Sequence, residues 1–126
     1  MKALRGRDIR PTTDRVREAW MSAMGGRMDG LRVLDLFAGS GALGLETLSR
    51  GAEHVTFVER VRGSLRVLDA NVDLLGVRDE VSVVADDVHH YLRRIEPDSF
   101  DVALADPPYG TGDAQRLVEA FRASPF

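Results

Sequence analysis

"LDLFAGSGALG", Leu34 to Gly44, runs an apolar segment straight into Gly39-x-Gly41-x-x-Gly44. This is the spacing of the dinucleotide-binding fingerprint. Its glycines permit a sharp strand-to-helix turn and let a bulky ligand approach the backbone at the helix N-terminus. Glu59 follows at about the distance from which an acid accepts ribose hydroxyls. NAD and S-adenosylmethionine both use such a loop. The glycines therefore point to an adenosine ligand without choosing between the two.

The pattern on either side supports an α/β fold. Strands are expected at Arg32–Phe37, His54–Glu59, Val81–Ala85 and Asp101–Ala105. Helices are expected at Ala42–Arg50, Val88–Arg94 and Ala114–Arg122. A further helix carries Val61, Leu65, Leu68, Val72 and Leu75 on one face and is ended by Gly76. Strands alternating with helices imply a doubly wound, mostly parallel sheet with right-handed crossovers. Ahead of it, residues 1–11 read as irregular and extended. Thr12, Thr13 and Asp14 then offer an N-cap to a helix whose apolar face is Val16, Ala19, Trp20, Ala23 and Met24. The chain thus divides into a basic arm and helix, 1–30, and a cofactor-binding domain, 31–126.

Bulk properties narrow the class. The 126 residues are 44% hydrophobic and 29% charged, as in one soluble globular domain. With no cysteine, disulfides, thiolate nucleophiles and cysteine metal sites are excluded. His89 and His90 are adjacent and do not share a helical face, so no metal site is expected. No apolar run approaches 18 residues and no signal-type stretch opens the chain, so a cytoplasmic location and no membrane partner are expected. The net charge of −3 is unevenly spread: residues 1–20 carry +3 and the remainder −6. Arg5, Arg7, Arg10, Arg15 and Arg17 of the basic arm are candidate RNA contacts through phosphate.

Acidic residues at strand ends help to separate the two cofactors. Asp35 lies four residues before Gly39, where a carboxylate would repel a pyrophosphate and attract the ammonium and sulfonium of S-adenosylmethionine. Its alternative role is to cap a local backbone turn. Phe37, Ala38, Gly39, Ser40 and Gly41 form the loop expected to hold the cofactor, and Glu59 its ribose. Asp86 and Asp87 follow the third strand, and Asp87 is preferred as acceptor for the adenine amine.

The fourth strand leads into Asp106-Pro107-Pro108-Tyr109. Two prolines stiffen this loop and remove two N–H donors, leaving it rich in acceptors. A nucleobase amine is a poor nucleophile because its lone pair is delocalised into the ring. Accepting both amine hydrogens, on the Asp106 carboxylate and the Pro107 carbonyl, localises that lone pair and aims it at a methyl group. Tyr109 can stack on a base lifted out of its helix.

"RPTTDRVREAW" (Arg10–Trp20), "LDLFAGSGALGLETLSRGA" (Leu34–Ala52) and "ADPPYG" (Ala105–Gly110) together resemble one family. It is the bacterial S-adenosylmethionine-dependent enzymes that methylate the guanine N2 of small-subunit ribosomal RNA. The resemblance runs from Arg10 to about Glu119. It implies a class I methyltransferase fold, with Asp35, Gly39 and Gly41 in the first cofactor motif and Asp35 near the methionine ammonium. It also implies Glu59 at the ribose, Asp87 at the adenine, and Asp106, Pro107, Pro108 and Tyr109 as the catalytic loop. The Arg10–Glu18 signature would lie near the cofactor mouth and touch RNA. The implied partner is small-subunit ribosomal RNA or the assembling subunit, met by a monomer.

Two departures stand out. Only nine residues precede "RPTTDR", where the family has a longer stretch. The family's sheet has seven strands, the last two an antiparallel hairpin, and only four are legible here. The edge of the fourth strand is therefore expected to lie open, an association hazard. Alternatives are an NAD-linked oxidoreductase, an amino-methyltransferase acting on adenine N6, cytosine N4 or a protein glutamine, and a truncated cofactor- or RNA-binding module without turnover.

Overall fold

Val33 and Leu34 are neighbours in sequence, both fully buried, and belong to different cores on opposite faces of one sheet. The same split separates Phe57 from Val58 and Leu104 from Ala105. Successive side chains of a strand point to opposite faces, so a strand apolar on both faces must be covered on both. The computed structural model describes residues 3–4, 26–107 and 110–123. Its strands are β1 (Ala3–Leu4), β2 (Arg32–Leu36), β3 (His54–Glu59), β4 (Val81–Ala85) and β5 (Val102–Ala105). They lie in the order β1-β5-β2-β3-β4, with every pairing parallel.

The helices are α1 (Ala42–Ser49), α2 (Arg62–Leu75), α3 (Val88–Leu92) and α4 (Asp113–Ala123). Leu45 of α1 and Leu68 and Val72 of α2 close over Val33, Val55, Phe57 and Leu104. Val88 and Leu92 of α3 and Leu117 of α4 close over Leu34, Leu36, Val58 and Ala105. Each such side chain contributes on the order of 2 kcal/mol by leaving water. The expected doubly wound α/β arrangement follows from this two-faced burial. Among the described residues no helix is long and apolar enough to cross a membrane.

One expectation is corrected. Ala3 and Leu4 are not irregular but form a fifth strand, in register with Leu104 and Ala105. The edge of β5 is therefore covered at these two positions rather than open. An unpaired strand edge offers N–H and C=O groups that any extended segment can satisfy, and a two-residue strand has no periodicity to betray it. The helix expected over residues 12–24 lies outside the described residues.

The strand order sets the location of the site. From β2 the chain steps to β3 and β4 on one side, then returns to place β5 on the other side of β2. Loops at the carboxyl ends of β2 and β5 diverge there and leave a crevice, the usual ligand position in such sheets.

Candidate active site

The turn after β2 gives its glycines different tasks. Gly41 caps α1 with left-handed backbone, φ 84°. Gly44 lies inside α1, where an added Cβ would fall 2.5 Å from Cε1 of Phe57 and 2.7 Å from Oδ2 of Asp35. Only glycine lets the helix approach the sheet this closely. Gly39, by contrast, has no atom within 4 Å of where a Cβ would stand, so a ligand can reach its backbone. Phe37 takes φ 58°, a left-handed conformation costing a bulky residue about 1–2 kcal/mol. Its ring meets the His89 imidazole edge to face, with centroids 6.1 Å apart.

A cavity of about 270 Å³ opens at the carboxyl ends of β2, β3, β4 and β5. Phe37 and Gly39 line it from the first loop, and Glu59, Arg60, Val61 and Ser64 from the second. Asp86, Asp87 and Val88 follow from the third, and Asp106 and Asp113 from the fourth. Five of these residues are carboxylates and one is a guanidinium.

Glu59 is buried and rigidly held. Its Oε1 accepts the Gly39 N–H at 2.8 Å, and its Oε2 accepts those of Arg60 at 3.1 Å and Val61 at 2.9 Å. Asp86 is engaged by His90 Nδ1 at 2.9 Å, Arg94 Nη2 at 3.0 Å and its neighbour's N–H at 2.7 Å. The hydrogen bonds from His90 and Arg94 hold its pKa down, at about 2. Asp87 caps α3, its Oδ2 accepting the His90 N–H at 3.0 Å. Asp106 is half-buried just past the end of β5, and Pro107 is buried.

Asp35 makes the contact of its alternative role, that of a cap on the local backbone. It is 3% exposed and does not line the cavity. Its Oδ2 accepts the Gly44 N–H at 3.0 Å, inside α1. Burial, aided by the nearby charges of Glu59 and Asp106, pushes its pKa to about 8 against the pull of that N–H. The cavity's negative charge comes from the acids of the later loops.

Of the expected cofactor residues, Phe37, Gly39, Glu59 and Asp87 line the cavity, and Ala38, Ser40 and Gly41 do not. Ala38 packs against the α1–α2 core, its N–H donating to the Val58 carbonyl at 3.1 Å. The Ser40 carbonyl accepts from Asn71 Nδ2 at 3.0 Å. Pro108, Tyr109, Arg5, Arg7, Arg10, Arg15 and Arg17 lie outside the described residues. Arg60, Val61, Ser64, Val88 and Asp113 were missed. Arg60 directly follows Glu59 and Val88 directly follows Asp87 in sequence, which was the available signal.

A parallel sheet in this strand order, with a glycine turn after β2 and acids at the following strand ends, defines the Rossmann-like class I methyltransferase fold. Over residues 1–125 the chain matches the family described as conserved hypothetical protein 95. It belongs to that family, the one that contains the small-subunit ribosomal RNA methyltransferases D. YlbH of Bacillus subtilis, named provisionally as an rRNA methyltransferase, is 40% identical over 111 residues, covering 86% of this chain and 60% of its own length. Ribosomal RNA small subunit methyltransferase D of Escherichia coli K12 is 36% identical over 110 residues, 87% of this chain and 54% of its own. The solved structure of yhhF from Escherichia coli, described provisionally as a methyltransferase, superposes with a TM-score of 0.78 at 28% identity. That match covers 97% of this chain and 71% of yhhF. The chain thus spans little more than half the length of these curated relatives.

Proposed function

We propose that this chain forms the cofactor-binding and catalytic region of an S-adenosylmethionine-dependent methyltransferase. Its proposed target is the exocyclic N2 amine of a guanine in small-subunit ribosomal RNA. One observation carries the reading: Gly39, Glu59 and Asp106 line a single cavity, so an adenosine site and an amine acceptor meet at adjoining strand ends. The cavity also fits the charge of the ligand. Five carboxylates against one guanidinium disfavour a pyrophosphate and favour a ligand bearing an ammonium and a sulfonium.

S-adenosylmethionine would supply an electrophilic methyl group. Glu59, fixed by three backbone donors, keeps one lone pair of Oε1 for a ribose hydroxyl. Asp86 is occupied by His90, Arg94 and a backbone N–H, which favours Asp87 as acceptor for the adenine amine. The Asp106 carboxylate and the Pro107 carbonyl accept the two hydrogens of the target amine, leaving its lone pair localised and oriented. Pro108 stiffens the loop and Tyr109 stacks on the extruded base.

The names of the relatives support RNA as substrate. β1 runs parallel to β5, with Leu4 beside Ala105 at the carboxyl edge of the sheet. The base-rich stretch from Arg5 to Arg17 follows. Guanine is favoured by Asp, rather than Asn, at position 106 and by the Arg10–Trp20 segment.

Calorimetric titration should show binding of S-adenosylmethionine and none of NAD. Small-subunit RNA incubated with methyl-labelled cofactor and digested to nucleosides should carry its label on guanine. Binding of NAD alone would overturn the methyltransferase assignment, and label on adenine or cytosine would overturn the guanine assignment.

A further inference from the structure

We propose, resting on the function above, that His89 is a positioning residue for the methyl-transfer site, acting through Asp113. The adjacent histidines of α3 diverge: the His90 side chain is 58% exposed, that of His89 only 7%. His89 Nε2 lies 2.6 Å from Asp113 Oδ1. The other oxygen of that carboxylate accepts the Thr111 hydroxyl at 2.6 Å, and the Asp113 N–H reaches the same hydroxyl at 3.3 Å.

Asp113 opens α4 and lines the cavity together with Asp106. The connection that starts at Asp106 is tied to the sheet at its beginning, where Ala105 pairs with Leu36. It is tied at its far end by His89. On its other side the imidazole meets the ring of Phe37, a cavity residue with left-handed backbone. A single buried side chain thus joins the loop after β2 to the loop after β5.

Packing alone does not call for histidine here. Its neighbours Val88 and Leu92 belong to the apolar core of this face, and His89 is buried beside them with a polar ring. What an imidazole adds is a hydrogen bond that holds one carboxylate in one orientation beside the reacting groups. Burial would raise the pKa of Asp113, but hydrogen bonds from Thr111 and His89 reverse this and hold it below its ordinary value. Catalytic rates are sensitive to small misplacements of this kind.

The test compares His89→Ala with His89→Gln, whose side-chain amide can donate from nearly the position of the imidazole Nε2. His89→Ala should lower kcat by about 10- to 100-fold, with the Kd for S-adenosylmethionine changed less than about threefold. Hydrogen–deuterium exchange across residues 104–116 should accelerate. His89→Gln should restore slow exchange and most of kcat. The proposal is overturned if exchange and kcat are unchanged in His89→Ala, if both variants are equally impaired, or if cofactor affinity falls as far as kcat does. A wild-type chain that transfers no methyl to ribosomal RNA would count against the proposed function. Exchange, and its rescue by Gln, would still decide on the positioning role.

Discussion

Asp35→Asn should make this protein more stable at neutral and mildly alkaline pH, and leave it nearly unchanged in acid. Asp35 is buried beneath α1, and its pKa rises from the ordinary 3.8 to about 8, chiefly because burial penalises the charge. The folded-state value lies above the unfolded one. The stabilising contribution of the neutral carboxyl is therefore complete below about pH 4 and is lost as pH climbs to about 8, after which the loss is constant. Integrated over that window, the loss is ~6 kcal/mol at 1.36 kcal/mol per pH unit. Relaxation and water entry around the ionised Asp35 recover part of this loss, and the amide brings a donor with no ready acceptor. A gain of about 2–3 kcal/mol at pH 8 is the expected outcome. Asparagine keeps the acceptor for the Gly44 N–H, so the start of α1 is preserved. Urea unfolding of both proteins at pH 4, 6 and 8 reads the effect directly. The wild-type midpoint should fall across the series and the Asn midpoint should hold. A difference that stays constant with pH, or a less stable Asn variant at pH 8, would refute the reasoning.

Gly44→Ala places a methyl group against Phe57 and Asp35, and thermal melts should show a loss of about 2 kcal/mol despite the better helix propensity of alanine. Glu59→Gln sets an amide donor against at least one of three backbone N–H groups; a destabilisation of about 1–3 kcal/mol and weaker cofactor binding are expected by denaturation and calorimetry. Asp106→Ala should retain cofactor affinity while methyl transfer, followed with labelled cofactor, falls about 100-fold or more; unchanged turnover would remove Asp106 from its role.

The sequence exposed the strands well because this sheet is covered on both faces. β2, β3, β4 and β5 read as near-continuous apolar runs, and their observed bounds lie within one residue of those expected. Asp35 was harder. Period-two alternation places it on the face of Val33, toward α1 and α2, but its depth there depends on a methyl group that Gly44 lacks. Strand-end acids could be named as a set, whereas their separate tasks could not. Whether Asp86 or Asp87 is the more occupied depends on His90 and Arg94, which α3 and the turn after it bring within reach. The His89–Asp113 pair left no local trace, since its members are joined only by the packing of α3 and α4 on one face. β1, two residues in a polar arm, has no pattern at all.

That short strand has a consequence for the cost of folding. β2, α1 and β3 lie close together in the chain, whereas Ala3 pairs with Leu104 across the whole intervening sequence. Closing so long a loop is an entropic cost, and contacts of such high sequence separation are the slow ones in small domains. Leu4 settles beside Ala105, the residue that introduces Asp106. Among the described strands this pairing spans the greatest sequence separation, and with that of Leu36 and Ala105 it frames from both sides the residue that leads into the proposed reactive loop.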